Sequence, residues 1–432
     1  MKTYTLRLAL AVLVALTFAG CDLFEIDDRP DPNGPSVDDI LDNPTAENIS
    51  AVAIGVEASA RIDLNLYLAD VGNIGREHWR FSASDPRFTG DLLGKGTSVL
   101  DDNTFYLTRP WTARYRTIRD ANVMLEALGL NTTLSDDQKA DARGFAKTWK
   151  AYQYLLNLNL TYQNGIRFIG PGDDGPGPLV GYDEALNQIA ALLDEAAGDF
   201  SGSASFFFPT TLSVDYAAFN RALAARVDLY REDYAGVFDA LDDSFLDADG
   251  DLSAGAYHVF SSGSNDFLNP FFLPPDADGD LILAHPSYVE DIEDGDERIS
   301  KVFDRGSATT VDGLTSQYGF FVYKSGSDPL PIITNAELVL IRAEARAQTG
   351  DVDGAISDLN VIRNAAGLDD YDGDATQAAV LDEVLFQRRY ELYGEGHRWV
   401  DVRRFGQLDT LPIDREGDDV WVQFPIPQNE NV

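Results

Sequence analysis

Four separated stretches of this 432-residue chain carry apolar residues at alternating spacings of three and four, the period of one face of a helix. Trp111, Tyr115, Ile118, Asn122 and Leu125 form the first stripe. Ala142, Phe145, Trp149, Tyr152 and Leu156 form the second, with Ser135 placed to cap it. Leu186, Ile189, Leu193 and Ala196 make a third, and Phe219, Ala222, Ala225 and Leu229 a fourth within residues 215–230. Asn122 sits on an apolar stripe, so its amide needs partners and reads as a helix-packing group rather than a ligand contact. Residues 336–348 and 353–366 read as a helical hairpin through Gly350-Asp351, and a last long helix covers about 378–393 before Gly394 and Gly396. Only one cysteine, Cys21, is present. No internal disulfide is possible, and stability must come from packing, or from bound ligands and metals.

Small residues at helix contacts suggest a tetratricopeptide-type repeat. In residues 336–364, Ala343 and Ala355 stand at close-packing positions and Leu359 follows. In residues 219–244, Ala225 and Leu241 fit, while Val237 replaces a small residue. The expected fold is all-α: an α-α superhelix of degenerate tetratricopeptide-like helical pairs, with long loop-rich insertions and few short strands. The scaffold covers about 111–232 and 330–405, and the loops that face a ligand about 72–110 and 244–330. Residues 318–323 are the best strand candidate.

The start of the chain has its own logic. Lys2 and Arg7 precede an apolar run at 8–18, and Ala19-Gly20-Cys21 follows. This is a secretory signal whose apolar core is too short to span a bilayer. It resembles the bacterial lipobox, in which the cysteine becomes the acylated first residue, although Phe18 stands where that motif prefers Leu. The expected organisation is a signal peptide at 1–20, an acidic Pro-rich tether at 21–45, and one domain from 46 to 432. Formal charge is -39, and removing residues 1–20 takes away Lys2 and Arg7 to give -41. Such a surface excludes a nucleic-acid partner. The bases are seven Lys and 26 Arg, a Lys-poor, acid-rich balance suited to high salt.

The C-terminal quarter carries the specific motifs. Asn335-Ala336-Glu337-Leu338-Val339-Leu340-Ile341-Arg342-Ala343-Glu344-Ala345 is followed by Gly350-Asp351, Ala355, Asp358-Leu359-Asn360 and Ile362-Arg363. Then come Arg388, Glu391-Leu392, Glu395-Gly396-His397-Arg398-Trp399, Asp401, Arg404 and Phe424-Pro425-Ile426-Pro427-Gln428-Asn429-Glu430. In order and spacing this set resembles the SusD/RagB family of outer-membrane nutrient-binding lipoproteins. Gln387 departs from it, standing where the family has Glu. The resemblance implies a lipid-anchored, surface-exposed lid on the outer membrane. Such a lid captures an oligosaccharide, or alternatively a peptide, and passes it to a SusC-like TonB-dependent barrel transporter. The acids from Asp22 to Asp28 resemble export signals of surface lipoproteins in that family's bacteria. Ligand contacts in the family come from the region before the first long helix and from the central insertions. They would fall here on Trp79, Phe81, Tyr106, Tyr318 and Phe320.

Other motifs have physical readings of their own. Arg388 lies on the apolar stripe of Leu381, Val384 and Leu385, and a buried guanidinium must be paired. Arg388, Glu391, Glu395, Arg398, Asp401 and Arg404 therefore form an expected structural ion network. Asp247, Asp249 and Asp251 begin like a calcium loop, and Asp276, Asp278 and Asp280 repeat the pattern. An EF-hand is excluded, because Leu252 or Leu281 occupies the glycine position and His258 or Ser287 the bidentate one. Calcium stays a weak expectation, solvated acidic loops the alternative, and no cofactor is expected. No nucleophile elbow or zinc helix appears. A binding protein is favoured over a lipid-anchored glycan-degrading enzyme or an adaptor.

The surface reading is tested by melting curves in NaCl. The midpoint should rise from low to molar salt; a fall contradicts adaptation to brine.

Overall fold

The computed structural model describes residues 36–430, apart from 174, 176, 201, 203 and 278. Cys21, the signal peptide and the first part of the expected tether lie outside the described residues. The fold begins before residue 46. Helix α1, Val37–Asp42, starts in a capping box between Ser36 and Asp39, buries Ile40 and packs on the first long helix. Residues 36–45 thus belong to the domain, because one apolar side chain and a good cap suffice for a short helix with a surface to lie on.

Helices α2, Ala46–Ser59, and α3, Leu64–Ile74, follow. Strand β1, His78–Phe81, leads to helix α4, Phe105–Leu130, and α5, Asp136–Thr161. A two-stranded ribbon of β2, Ile166–Arg167, and β3, Leu179–Val180, precedes α6, Tyr182–Asp199, α7, Tyr216–Tyr230, and α8, Tyr234–Asp242. A strand-rich insertion holds β4, Gly255–His258, β5, Leu281–Ala284, the short α9, Pro286–Glu290, β6, Val302–Val311, β7, Leu314–Phe320, and β8, Leu330–Thr334. The chain then returns to helix with α10, Asn335–Gln348, α11, Val352–Ala365, α12, Gln377–Glu391, and α13, Arg398–Arg404.

From α4 to α8 each helix packs on the next, and α10 continues the row by packing on α7, α8, α11 and α12. The expected superhelix is thus present, with its insertion between α8 and α10. The four stripes point inward: Ile118, Phe145, Trp149, Ile189, Leu193, Phe219 and Ala225 are all buried. Ser135 caps α5 in a box with Gln138. Asn122 accepts from the Lys150 ammonium at 2.7 Å and donates to the Ile169 carbonyl at 3.1 Å. It ties α4 to α5 and the next loop, as its place on the stripe requires. Ala343, Ala355 and Leu359 meet between α10 and α11.

The insertion is more sheet-like than the sequence reading allowed. Four antiparallel strands run in the order β1-β5-β7-β6, and β4 pairs with β8. Strand β7 ends at Phe320, so residues 321–323 of the expected strand lie beyond it. The β6–β7 hairpin turns at Asp312-Gly313, both at positive φ, the backbone that a two-residue hairpin demands.

A buried pair locks the insertion to the scaffold. Arg226 of α7 meets Glu337 of α10 through two hydrogen bonds of 2.6 Å and also donates to the Ile332 carbonyl of β8. Neither side chain could be left alone in so dry a place. Arg226→Met should cost about 3–5 kcal/mol in urea unfolding, and the double change Arg226→Met with Glu337→Leu should recover most of it. An additive double mutant would contradict the pairing.

Candidate functional site

Where α5, α6, α7, α8 and α10 bring their ends together, the surface sinks into a groove of about 670 Å³, within the ordinary range of ligand sites. Tyrosines dominate its wall. Tyr162 ends α5, Tyr182 opens α6, Tyr230 ends α7 and Tyr234 opens α8. Phe405 after α13 adds a fifth ring, and Gln163, Asp183, Asn187, Glu232 and Gln348 supply polar groups. Tyr162 and Tyr182 lie 4.5 Å apart, centroid to centroid. Two groove residues, Tyr162 at φ 45° and Glu232 at φ 59°, hold the left-handed backbone that costs a residue with a side chain. That conformation turns the chain sharply at two helix ends and leaves the Tyr162 ring half-exposed.

Beneath the rings lies a run of charge. Arg404 grips Glu344 of α10 at 2.8 and 3.1 Å and Asp401 at 2.9 Å. Asp401 in turn accepts from Arg388 of α12 at 2.7 Å. The guanidinium of Arg404 also faces the rings of Tyr230 and Phe405 at 5.0 and 5.4 Å. Arg388 and Arg404 hold the Asp401 carboxyl down at about 2 despite its burial. Arg231 is turned aside by Asp228 at 2.6 Å and Asn187 at 3.0 Å. Burial raises the Tyr182, Tyr230 and Tyr234 hydroxyls, Tyr234 to about 12. They remain neutral, able to donate and to accept. Flat rings with neutral hydroxyls, amides and a few carboxylates suit a ligand with alternating apolar faces and hydroxyl groups.

The expected ion network is therefore real for Arg388, Asp401 and Arg404, but it divides. Glu391 reaches only the edge of Arg298 at 3.5 Å, and Arg398 donates to the Gly75 carbonyl at 3.0 Å. Glu395 stands apart beside Lys301 and Glu337, its carboxyl raised to about 8 by burial. Glu344 and Arg226–Glu337 take the partner roles instead. Sequence distance misled in part, because beside Asp401 the acids Glu344 and Glu337 come from α10. Gln387, the departure from the family pattern, accepts from Arg298 at 2.7 Å and donates to Glu383 at 2.8 Å.

The expected ligand aromatics are placed otherwise. Trp79 is 2% exposed and Phe81 1%, stacked at 5.9 Å on one face of β1 over Leu93, Leu281, Leu283 and Leu314. His78 on the opposite face packs against Phe271 and Phe320, each at 5.5 Å. Both faces of β1 are covered, so none of its rings is free to meet a ligand. Tyr106 is fully buried in the first turn of α4 and donates its hydroxyl to Asp91 at 3.1 Å. Phe320 is 9% exposed in the core beside Tyr393, and Tyr318 is half-buried against it. These residues are packing groups. The groove tyrosines mark the ends of helices whose stripes the sequence shows, and Tyr230 and Tyr234 flank a three-residue turn.

Within the described residues the acids of these loops are engaged in local hydrogen bonds and an ion pair. Asp247 accepts from the Asp249 amide at 3.1 Å, and Asp251 from the Ser253 amide at 2.9 Å. Asn335 pins the loop by donating to the Asp247 carbonyl at 2.6 Å. Among the described residues no three His, Cys, Asp or Glu side chains are grouped to hold a metal. Asp280 pairs with Arg80 at 3.3 Å and accepts from Ser82 at 2.8 Å, while Asp278 lies outside the described residues.

Comparison with known proteins agrees with this architecture. Residues 317–430 match the SusD family model. Surface glycan-binding protein A from Bacteroides thetaiotaomicron, solved in complex with laminarihexaose, superposes with a TM-score of 0.69 at 16% identity, covering 89% of this chain and 97% of that one. A SusD superfamily protein from Parabacteroides distasonis gives 0.67 at 19% identity, covering 88% and 96%. A SusD-like carbohydrate binding protein from Bacteroides vulgatus gives 0.65 at 18% identity, covering 84% of each. No curated protein sequence matches the chain.

The buried carboxyls make a pH prediction. Glu395 is raised to about 8 and Glu77 to about 7, each by burial, from an ordinary 4.5. The folded chain keeps protons that the unfolded chain releases. Their stabilisation is complete below about pH 4.5 and is lost as pH rises through about 8. His397, lowered to about 4 by burial, acts in the opposite sense, but only below its ordinary 6.5. Urea midpoints should fall between pH 6.5 and 8, and Glu395→Gln should flatten most of that fall. An unchanged slope contradicts the assignment.

Proposed function

We propose that this chain, which belongs to the SusD/RagB family, binds an oligosaccharide in the tyrosine groove. The observation that carries the reading is the convergence of Tyr162, Tyr182, Tyr230, Tyr234 and Phe405 around one recess with amide and carboxylate groups between them. A pyranose ring offers an apolar face to an aromatic ring and equatorial hydroxyls to the groups beside it. Tyr162, Tyr234 and Phe405, each half-buried, are the stacking surfaces. Asp183, Asn187, Glu232 and Gln348 are the hydrogen-bonding ones. The structural neighbour that carries laminarihexaose supports a glucan as the first ligand to try.

The wider reading follows from family and leader together. Cys21 would be acylated and hold the chain at the outer membrane, facing outward, where it receives its glycan and passes it to a SusC-like TonB-dependent barrel. Among the described residues no helix is long and apolar enough to cross a membrane, which fits attachment through a lipid. The groove carboxylates Asp183 and Glu232 are read as hydrogen-bonding groups, and the reading is of binding without turnover.

Titration calorimetry with laminarihexaose and a panel of glycans and peptides tests this. Saturable glycan binding without product release is expected. Tyr162→Ala and Tyr234→Ala should each weaken it by about five- to thirtyfold, with little change in melting. Hydrolysis of the glycan would favour the enzyme reading, and binding of peptides alone would reassign the groove.

A further inference from the structure

Helix α7 ends in a turn that ordinarily calls for glycine. The Asp233 amide donates to the Asp228 carbonyl at 2.9 Å and the Glu232 amide to the Leu229 carbonyl at 3.1 Å, the paired closure that puts a left-handed residue just after the cap. That residue is Glu232, at φ 59°. Helices α10, α11 and α13 carry Gly350, Gly367 and Gly406 at the same place, at φ 88°, 80° and 65°. Glycine takes this backbone freely, whereas a residue with a side chain is strained by it. Arg76, which follows the cap of α3 at φ 54°, uses its side chain to bond the carbonyls of Ile74, Pro412 and Asp419. Glu232 is instead exposed on the wall of the tyrosine groove.

We propose that Glu232, together with Asp183, makes the groove selective for uncharged oligosaccharides and turns away those that carry carboxylate or sulfate groups. The inference rests on the groove being the glycan site, and it names the class of glycan admitted. Of the ionised groups that line the groove, Asp183 and Glu232 are the exposed ones. The guanidinium groups there are matched within the protein: Arg404 by Glu344 and Asp401, and Arg231 by Asp228 at 2.6 Å and Asp233 at 3.7 Å. Arg403, behind the Tyr162 ring, is 5% exposed. Each exposed carboxylate also stands close in sequence to a groove tyrosine, Asp183 after Tyr182 and Glu232 two residues before Tyr234. A carboxylate accepts from sugar hydroxyls, but so does an amide. What the charge adds is repulsion of a like charge brought into a recess. Glutamine would keep the hydrogen bonds and glycine would relieve the backbone, so the charge is what sets glutamate apart at this position.

Titration calorimetry with laminarihexaose, and with the same hexaose oxidised to carboxylates at its primary hydroxyls, tests the proposal. The unaltered chain should bind the neutral form about tenfold or more tightly than the oxidised one. In the double variant Glu232→Gln with Asp183→Asn, which keeps the hydrogen-bonding groups, that ratio should fall below about threefold through tighter binding of the oxidised form. Glu232→Gly should also lower the ratio, and it should raise the urea midpoint because the backbone strain is relieved. An unchanged ratio in the double variant would overturn the proposal and assign the exclusion to the acidic surface at large. A lowered urea midpoint in Glu232→Gly would do the same, by showing the side chain to be a structural group. Equal binding of both hexaoses by the unaltered chain would sink the selectivity and leave the glycan site standing, whereas binding of neither would remove both.

Discussion

Arg404 is the joint on which the C-terminal half of this protein turns. Its guanidinium bridges Glu344 of the repeat scaffold and Asp401 of its own helix, and Asp401 also holds Arg388. Three helices, α10, α12 and α13, are thereby fixed at one point. Each charge in that place would be costly alone, and each is tolerated because the others are there. The same guanidinium supports the rings of Tyr230 and Phe405. An ion network that looks purely structural thus forms the floor of the groove, and the positions of the tyrosines depend on it.

The rest of the C-terminal segment is built around the neighbouring arginine. Arg403 lies over Tyr162 at 4.3 Å and Trp399 at 4.5 Å, and donates to the carbonyls of Asn159 and Val422. It holds the end of α5, and so the strained Tyr162, against the returning chain. Trp399 donates to the Trp421 carbonyl, the Phe424 amide to the Leu160 carbonyl, and Arg167 to that of Glu430. The family motif residues near the C-terminus therefore act by pulling the last strand-like stretch across the helical ends. They shape the groove from behind without lining most of it.

Much of the scaffold was legible because helices announce themselves through local periodicity. The stripes through Phe145, Ile189 and Phe219, the Ser135 cap and the Gly350-Asp351 turn depend on residues close in sequence. The insertion was harder. Its one local signal is the Asp312-Gly313 turn, whose two positive-φ residues join β6 to β7. Trp79 and Phe81 alternate as strand residues do, yet whether both faces of β1 are covered depends on partners 200 residues away. The same limit explains the site. Aromatic content in loops suggested platforms, but the rings at 79, 81 and 106 are core. The exposed ones stand at helix ends that meet only in three dimensions. Likewise Glu344, which joins Asp401 on Arg404, and Glu337, which pairs with Arg226, come from α10, outside any local window.

The central claim is that the tyrosine groove, rather than the strand-rich insertion, receives the glycan. A crystal structure of the protein grown with laminarihexaose addresses it directly. The account predicts pyranose rings stacked on Tyr162, Tyr234 or Phe405, with hydroxyls on Asp183, Asn187 or Glu232. Sugar bound on the insertion formed by β5, β6 and β7, with no density in the groove, would contradict it.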